Sequence, residues 1–177
     1  MKLVVFSGLP GTGKSRLAEA IGRALGMPVF AKDWLEATFI MSELIPSNQK
    51  KPLGYAGYQL LTTLAERQFM LGQSVILDSV ASMQSIRGTW RELAEHYNAD
   101  YRVIECICSD ELLHRSRLKE RNRNIPGWHE LDWSEVERVK QYYSPWEGER
   151  LIVDMAHLFN ENFLKAQTYC ESVDCEI

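Results

Sequence analysis

Residues 8 to 15 read Gly-Leu-Pro-Gly-Thr-Gly-Lys-Ser, a complete G-x-x-x-x-G-K-[ST] pattern. The chemistry it could serve is the gripping of a polyphosphate. Glycines accept the φ angles that aim consecutive backbone N–H groups at one point, where phosphate oxygens can sit. The N-terminus of a following helix adds unpaired donors and partial positive charge. On this pattern Gly8, Gly11, Thr12 and Gly13 form the cradle, Lys14 reaches the β- and γ-phosphates, and Ser15 ligates Mg²⁺. A plain glycine turn ahead of a helix is the alternative. The flanks favour the phosphate loop: Leu3-Val4-Val5-Phe6 is apolar and of strand length, and Arg16 to Leu25 repeats at helical spacing.

Two acids and a basic run complete the candidate set. Asp33 follows the short strand-like Val29-Phe30-Ala31, and Asp78 ends the apolar run Val75-Ile76-Leu77. In an open parallel sheet, ligands collect at the carboxyl ends of strands, so both acids are expected near the loop. Phosphoryl transfer needs an acceptor hydroxyl oriented in line, and Asp33 is the candidate to accept its proton or fix its direction. The other reading of Asp33 is an N-cap for the next helix. Asp78 is the candidate to hold a water on Mg²⁺; the other reading is a cap on the turn through Ser79 or Ser82. Residues 115 to 123 are the one concentrated basic stretch. Arg117 and Arg121, four apart, are expected on one helical face, as part of a lid closing over the triphosphate. A solvated face paired to Glu111 and Glu120 is the competing reading.

These residues need elements to place them. Apolar strands alternate with amphipathic helices, which predicts an α/β fold: a three-layer arrangement of five parallel strands with helices on both faces and a helical lid at about 113–131. Helices are expected over Trp34 to Leu44, Tyr58 to Leu71, about Ser85 to Tyr97, and Asn160 to Glu171. Strands are expected at Tyr101 to Ile107 and Leu151 to Val153. Ser109 is the expected N-cap of the arginine-bearing helix, and Asp132 with Glu135 a capping box for a helix to about Tyr143. Ser47 to Gly54 reads as a polar loop within one domain spanning 1–177. Trp34, Tyr55 and Tyr58 could stack on an acceptor ring, though aromatic residues at helix edges more often belong to the core. Trp128, His129 and Trp133 are undecided on spacing alone.

Bulk composition narrows the function classes. The chain has 177 residues, 45% hydrophobic and 25% charged, with net charge −4. No global basic field exists to hold a long nucleic acid. No apolar run approaches the roughly 20 residues that span a membrane, and the start leaves no room for a signal peptide, so the cytoplasm is the expected location. Cys106, Cys108, Cys170 and Cys175 lack zinc spacing. The first two are expected as buried reduced thiols.

With Gly8 to Ser15, Ala31-Lys32-Asp33, Val75 to Asp78 and the run Ser109 to Arg121 in order, the chain resembles a P-loop kinase of the AAA-33 ATP-binding group, near polynucleotide kinase, the zeta toxins, chloramphenicol phosphotransferase and gluconate kinase. The resemblance implies Mg-ATP at the loop, an acceptor-side acid at Asp33, and lid arginines at Arg117 and Arg121. The chain departs from that pattern after Asp33, where Trp34-Leu35-Glu36 stands in place of a nearby arginine. It also departs from adenylate kinase, whose Asp-Gly-Phe-Pro-Arg signature is replaced by Asp78-Ser79-Val80-Ala81-Ser82. The expected function is transfer of the γ-phosphate of Mg-ATP to a hydroxyl of a small molecule or a nucleic acid 5′ end, with no membrane and no protein partner implied. The alternative is a nucleotide-binding or hydrolysing regulator. The guanine motif Asn-Lys-x-Asp is missing, which disfavours a GTPase switch. A dinucleotide-binding dehydrogenase is disfavoured because Arg16 stands where its third glycine would be.

Overall fold

Each apolar run becomes a strand of a single sheet. The computed structural model describes residues 1–42 and 53–172. Strands β1 (Lys2–Ser7), β2 (Val29–Ala31), β3 (Val75–Asp78), β4 (Asp100–Ile107) and β5 (Leu151–Asp154) lie in the order β2-β3-β1-β4-β5. All neighbours are parallel. Parallel neighbours require crossovers, commonly helical. Here the helices are α1 (Lys14–Leu25), α2 (Lys32–Met41), α3 (Leu53–Met70), α4 (Gln84–His96), α5 (Glu111–Glu120), α6 (Trp133–Lys140) and α7 (Phe159–Glu171). The expected α/β sandwich of five parallel strands is the observed one.

Both sheet faces are covered, which is why the strands read as apolar throughout rather than alternating. Leu3, Val5, Leu77 and Val103 pack against Leu61, Ala65, Phe69 and Trp90 of α3 and α4. Val4, Phe6, Ile76 and Ile104 meet Leu17, Ile21, Ala166 and Cys170 of α1 and α7. Trp90 is fully buried, and its indole N–H donates to Thr62 Oγ1 at 2.9 Å.

The register positions the chemistry. Phe6 and Ala31 each stand opposite Asp78, and Ser7 stands opposite Glu105. The segment after β1, the end of β3 and the start of α2 therefore emerge side by side on one edge.

Several boundaries differ from the sequence expectation. Helix α2 starts at Lys32, so Asp33 lies in its first turn, and α3 starts at Leu53, running through Gly57. A Cβ on Gly57 would sit 2.8 Å from Glu36 Oε1, so the bare glycine lets α2 and α3 approach. Leu44 and residues 47–52 of the expected loop lie outside the described residues, as does Cys175. The N-cap of α5 is Asp110, whose Oδ1 accepts from the Leu113 N–H at 2.9 Å; the Ser109 N–H is directed to Asp154 Oδ1 instead. Of the capping box expected for α6 the Asp132 half is present, accepting from the N–H groups of Ser134 and Glu135, while the Glu135 carboxylate accepts from Arg138. That helix stops at Lys140, where the bonding tightens to three-residue spacing: the Gln141 N–H goes to Arg138 O and the Tyr142 N–H to Val139 O. Cys106, Cys108 and Cys170 are free thiols. Burial pushes Cys106 up to about 12 and Cys170 to about 11. Cys108 is only half-buried, since β4 is ending there.

Candidate active site

The chain leaves β1 into a loop that only glycines permit. Gly8 has φ 139°, and a Cβ there would lie 2.2 Å from the Cys106 carbonyl oxygen. Gly13, at φ 101°, forms the N-cap of α1. Thr12 closes the turn, its hydroxyl donating to Leu9 O at 3.0 Å. Lys14 then opens α1 with its side chain largely buried.

Two supports beneath the loop were not legible in the motif. His114 is buried, and its Nε2–H donates to Pro10 O at 2.8 Å. Burial lowers its affinity for a second proton, so the ring stays a neutral donor. Ser7 Oγ donates to Val80 O at 2.8 Å, accepts from the Trp146 indole N–H at 3.0 Å, and meets Tyr143 Oη at 2.9 Å. A buried serine hydroxyl has no sequence signature, and its partners Tyr143 and Trp146 lie more than 130 residues away.

Asp78 ends β3 and is buried. Burial pushes its carboxyl above the usual range, against the opposing pull of Lys14 and of the adjacent Ser15 hydroxyl. Its Oδ1 is buried without a hydrogen-bond partner. It does not cap the following turn through Ser79, whose N–H goes to Phe6 O and whose hydroxyl has no partner. A hydroxyl beside an orphaned carboxylate oxygen is a donor set that suits a hard divalent cation completed by phosphates and water. Among the described residues no cluster of three or more His, Cys, Asp or Glu side chains could hold a metal by protein ligands alone.

Asp33 is not an N-cap. That place belongs to Ala31, which makes no side-chain cap bond. Its Oδ2 instead accepts from Nη1 of Arg123. Burial alone would raise its pKa, but Arg123, and after it Lys14 and Lys32, hold the carboxyl below the usual range. The neighbouring Lys32 pairs with Glu36, and its ammonium lies 4.7 Å from the centre of the Tyr58 ring.

The basic run divides. Arg115 pairs with Glu111 at 2.9 Å and remains a solvent-facing ion pair, as the competing reading held. Arg117 donates to Met155 O at 2.6 Å. Arg121 is the C-cap of α5 with extended backbone, so it does not share a helical face with Arg117; its Nε donates to Glu130 Oε2 at 3.2 Å. Both nevertheless reach the same space. One cavity of about 600 Å³ is lined by Gly11, Gly13, Lys14, Ser15, Asp33, Asp78, Arg117 and Arg121. Gly8 and Thr12 line a smaller cavity of about 300 Å³ behind the loop, with Glu105 and Tyr143, which contains none of Lys14, Ser15, Asp33 or Asp78.

The larger cavity adds residues the sequence reading did not select: Arg123, and Met155, His157 and Phe159 from the segment after β5. The Arg16 guanidinium lies 4.2 Å from the centre of the Phe159 ring. Trp34 lines this cavity while remaining half-exposed, Tyr55 is exposed, and Tyr58 belongs to the core against Trp90. Trp133 packs on His114, and Trp128 stacks on His129. Among the described residues no helix is long and apolar enough to cross a membrane.

Comparison with known proteins agrees with this geometry. The AAA_33 profile, described as an AAA domain, matches residues 3–146. No curated protein matches the sequence. Similar solved structures include a putative kinase from Chloroflexus aurantiacus, 19% identical with TM-score 0.73, covering 96% of each chain. A gluconokinase from Sinorhizobium meliloti is 23% identical with TM-score 0.67, over 94% of this chain and 90% of that one. The Mycobacterium tuberculosis APS kinase in complex with AMPPNP and APS is 19% identical with TM-score 0.60, over 97% and 98%. At these identities the likeness is one of fold, and the profile match supplies the family. The chain belongs to the AAA_33 family, and its fold is that of the P-loop kinases.

Proposed function

We propose that the chain is an Mg-ATP-dependent phosphotransferase that moves the γ-phosphate to a hydroxyl of a small molecule or of a nucleic acid 5′ end. The observation that supports this most is the convergence of Lys14, Ser15, Asp33, Asp78, Arg117 and Arg121 on one cavity. The structural neighbours that carry kinase names lend it further support.

In this reading the loop amides and Lys14 hold the β- and γ-phosphates, and Ser15 with Asp78 holds Mg²⁺, Asp78 through water. When bound, the ion neutralises charge on the β- and γ-oxygens. Residues 113–131 act as the lid, with Arg117 and Arg121 countering charge on the transferring group and excluding water. Asp33 orients the acceptor hydroxyl and takes its proton. A carboxyl held low is a weak base, so orientation is the larger part of that role. His157 and Phe159, which line the same cavity, are the candidate contacts for the nucleotide base. Reduced thiols and ATP consumption fit the cytoplasm.

The test is a ³¹P-monitored transfer screen with ATP and Mg²⁺ against nucleosides, oligonucleotide 5′ ends, sugars and aminoglycoside-like hydroxyls. Lys14→Ala is expected to abolish transfer, and Asp33→Asn to keep ATP binding while losing turnover. Full activity of Asp33→Asn on the true acceptor would remove Asp33 from the reaction.

A further inference from the structure

The far end of the expected lid touches the acid assigned to the acceptor. Arg123 lies beyond the end of α5, and its Nη1 donates to Asp33 Oδ2, joining residues 90 apart. The rest of that guanidinium is poorly provided for. Its Nε and Nη2 are buried without a hydrogen-bond partner, as is Nη2 of Arg121. Glu130 serves both arginines: Oε1 accepts from the Arg123 backbone N–H at 2.8 Å, and Oε2 accepts from Arg121 Nε. The same Oε2 stands 3.8 Å from Arg123 Nε, too far for a hydrogen bond. Buried donors without acceptors are unfavourable, so this arrangement gains wherever anionic oxygens come within reach.

The charged groups around Asp33 come from each neighbouring element. Lys14 projects from α1, Lys32 and Glu36 from α2, Asp78 from β3, and Arg121 and Arg123 from the segment after β4. The charges of Lys14 and Arg123 both act on Asp33 and on Asp78. Lys14 and Arg123 also line the same cavity, so a phosphoryl group held there by Lys14 would share that space with the unpartnered nitrogens of Arg123.

We propose that Arg123 is a latch operated by the nucleotide. Without a γ-phosphate it holds Asp33; when that group arrives, Arg123 transfers to its oxygens and releases the Asp33 carboxylate for the acceptor hydroxyl. The inference rests on the phosphotransferase reading and adds an order to it. The acid becomes available only once the group to be transferred is in place, so an acceptor entering an empty site finds Asp33 occupied.

The test is a double-mutant cycle by calorimetry on the full chain, with AMPPNP and ADP as probes in the presence of Mg²⁺. Asp33→Ala, which removes the acceptor altogether, frees Arg123 in advance and is expected to tighten AMPPNP relative to ADP by about fivefold or more. In an Arg123→Gln background the same change is expected to alter that ratio by less than about twofold, because no latch remains to release. Equal tightening in both backgrounds overturns the latch, since Asp33 would then act on the phosphate through its bare charge. Wild-type protein that binds neither nucleotide overturns the latch and the phosphotransferase reading together. Nucleotide binding with an additive cycle removes the latch alone. Arg123→Lys, which keeps the charge but loses the two-pronged donor geometry, substitutes if Arg123→Gln does not fold, and is expected to give intermediate coupling.

Discussion

Asp33 and Asp78 are carboxylates on one cavity, and their surroundings drive them in opposite directions. Asp33 is held low by Arg123, whereas burial raises Asp78. For Asp78 the sign follows from linkage. A folded-state pKa above the unfolded value favours the fold when the acid is protonated, so that contribution is present at low pH and lost as pH rises through the folded value. A bound cation reverses the preference, because it needs the carboxylate. The contribution of Mg²⁺ to ATP affinity is therefore expected to fall on acidification while pH is still above the ordinary carboxylate range. Calorimetry of ATP with and without Mg²⁺ across pH measures it, and Asp78→Asn should flatten the dependence. An unchanged profile in Asp78→Asn would show that Asp78 does not serve the metal. Both acids were legible in the sequence because each stands within two residues of the end of a short apolar run. Arg123 was not, since its partner Asp33 is distant in sequence and no local pattern announces a long-range ion pair.

The phosphate loop is an element that its own eight residues do not hold still. Its root, Ser7, is bonded to Trp146 and Tyr143, which lie on the segment returning from α6 to β5. Arg87, buried at the start of α4, ties that segment down by donating to the carbonyls of Ser144 and Pro145 at 2.8 Å each and to Ala81 O at 2.7 Å. Its guanidinium also stacks 3.9 Å from the centre of a Trp146 ring. Ala81 has φ 49°, a left-handed conformation that costs a non-glycine residue about 1–2 kcal/mol, and the Arg87 bond helps to fix it. The strand and helix flanking the loop could be read from periodicity, but this buttress could not, because its bonds join segments through backbone carbonyls that any residue possesses. Trp146→Phe keeps a ring over Arg87 and deletes the indole donor. It is expected to cost about 1–2 kcal/mol in urea unfolding and to weaken ATP binding through the loop root. Loss of stability with ATP affinity intact would confine the buttress to folding.

At the scale of the molecule, the order β2-β3-β1-β4-β5 places the phosphate loop between two wings of the sheet. One wing brings Asp33 and Asp78; the other leads into α5 and the arginines. Alternating strands and helices predicted a parallel sheet, but not its order, since periodicity carries no information about which strands become neighbours. Because the cavity is lined from α1, α2, β3, α5 and the segment after β5, a ligand filling it links elements spread across the chain. A nucleotide that binds only this assembled state stabilises it by mass action. With Mg-ATP at about a hundred times its Kd, the gain is about 2.7 kcal/mol. For a chain of this size each kcal/mol moves Tm by about 2–4 °C, so melting is expected to rise by roughly 5–10 °C. Lys14→Ala, which removes a phosphate contact from the centre of the cavity, should melt near wild type without nucleotide and lose most of the rise with it. A full rise in Lys14→Ala would place the stabilising nucleotide elsewhere on the molecule.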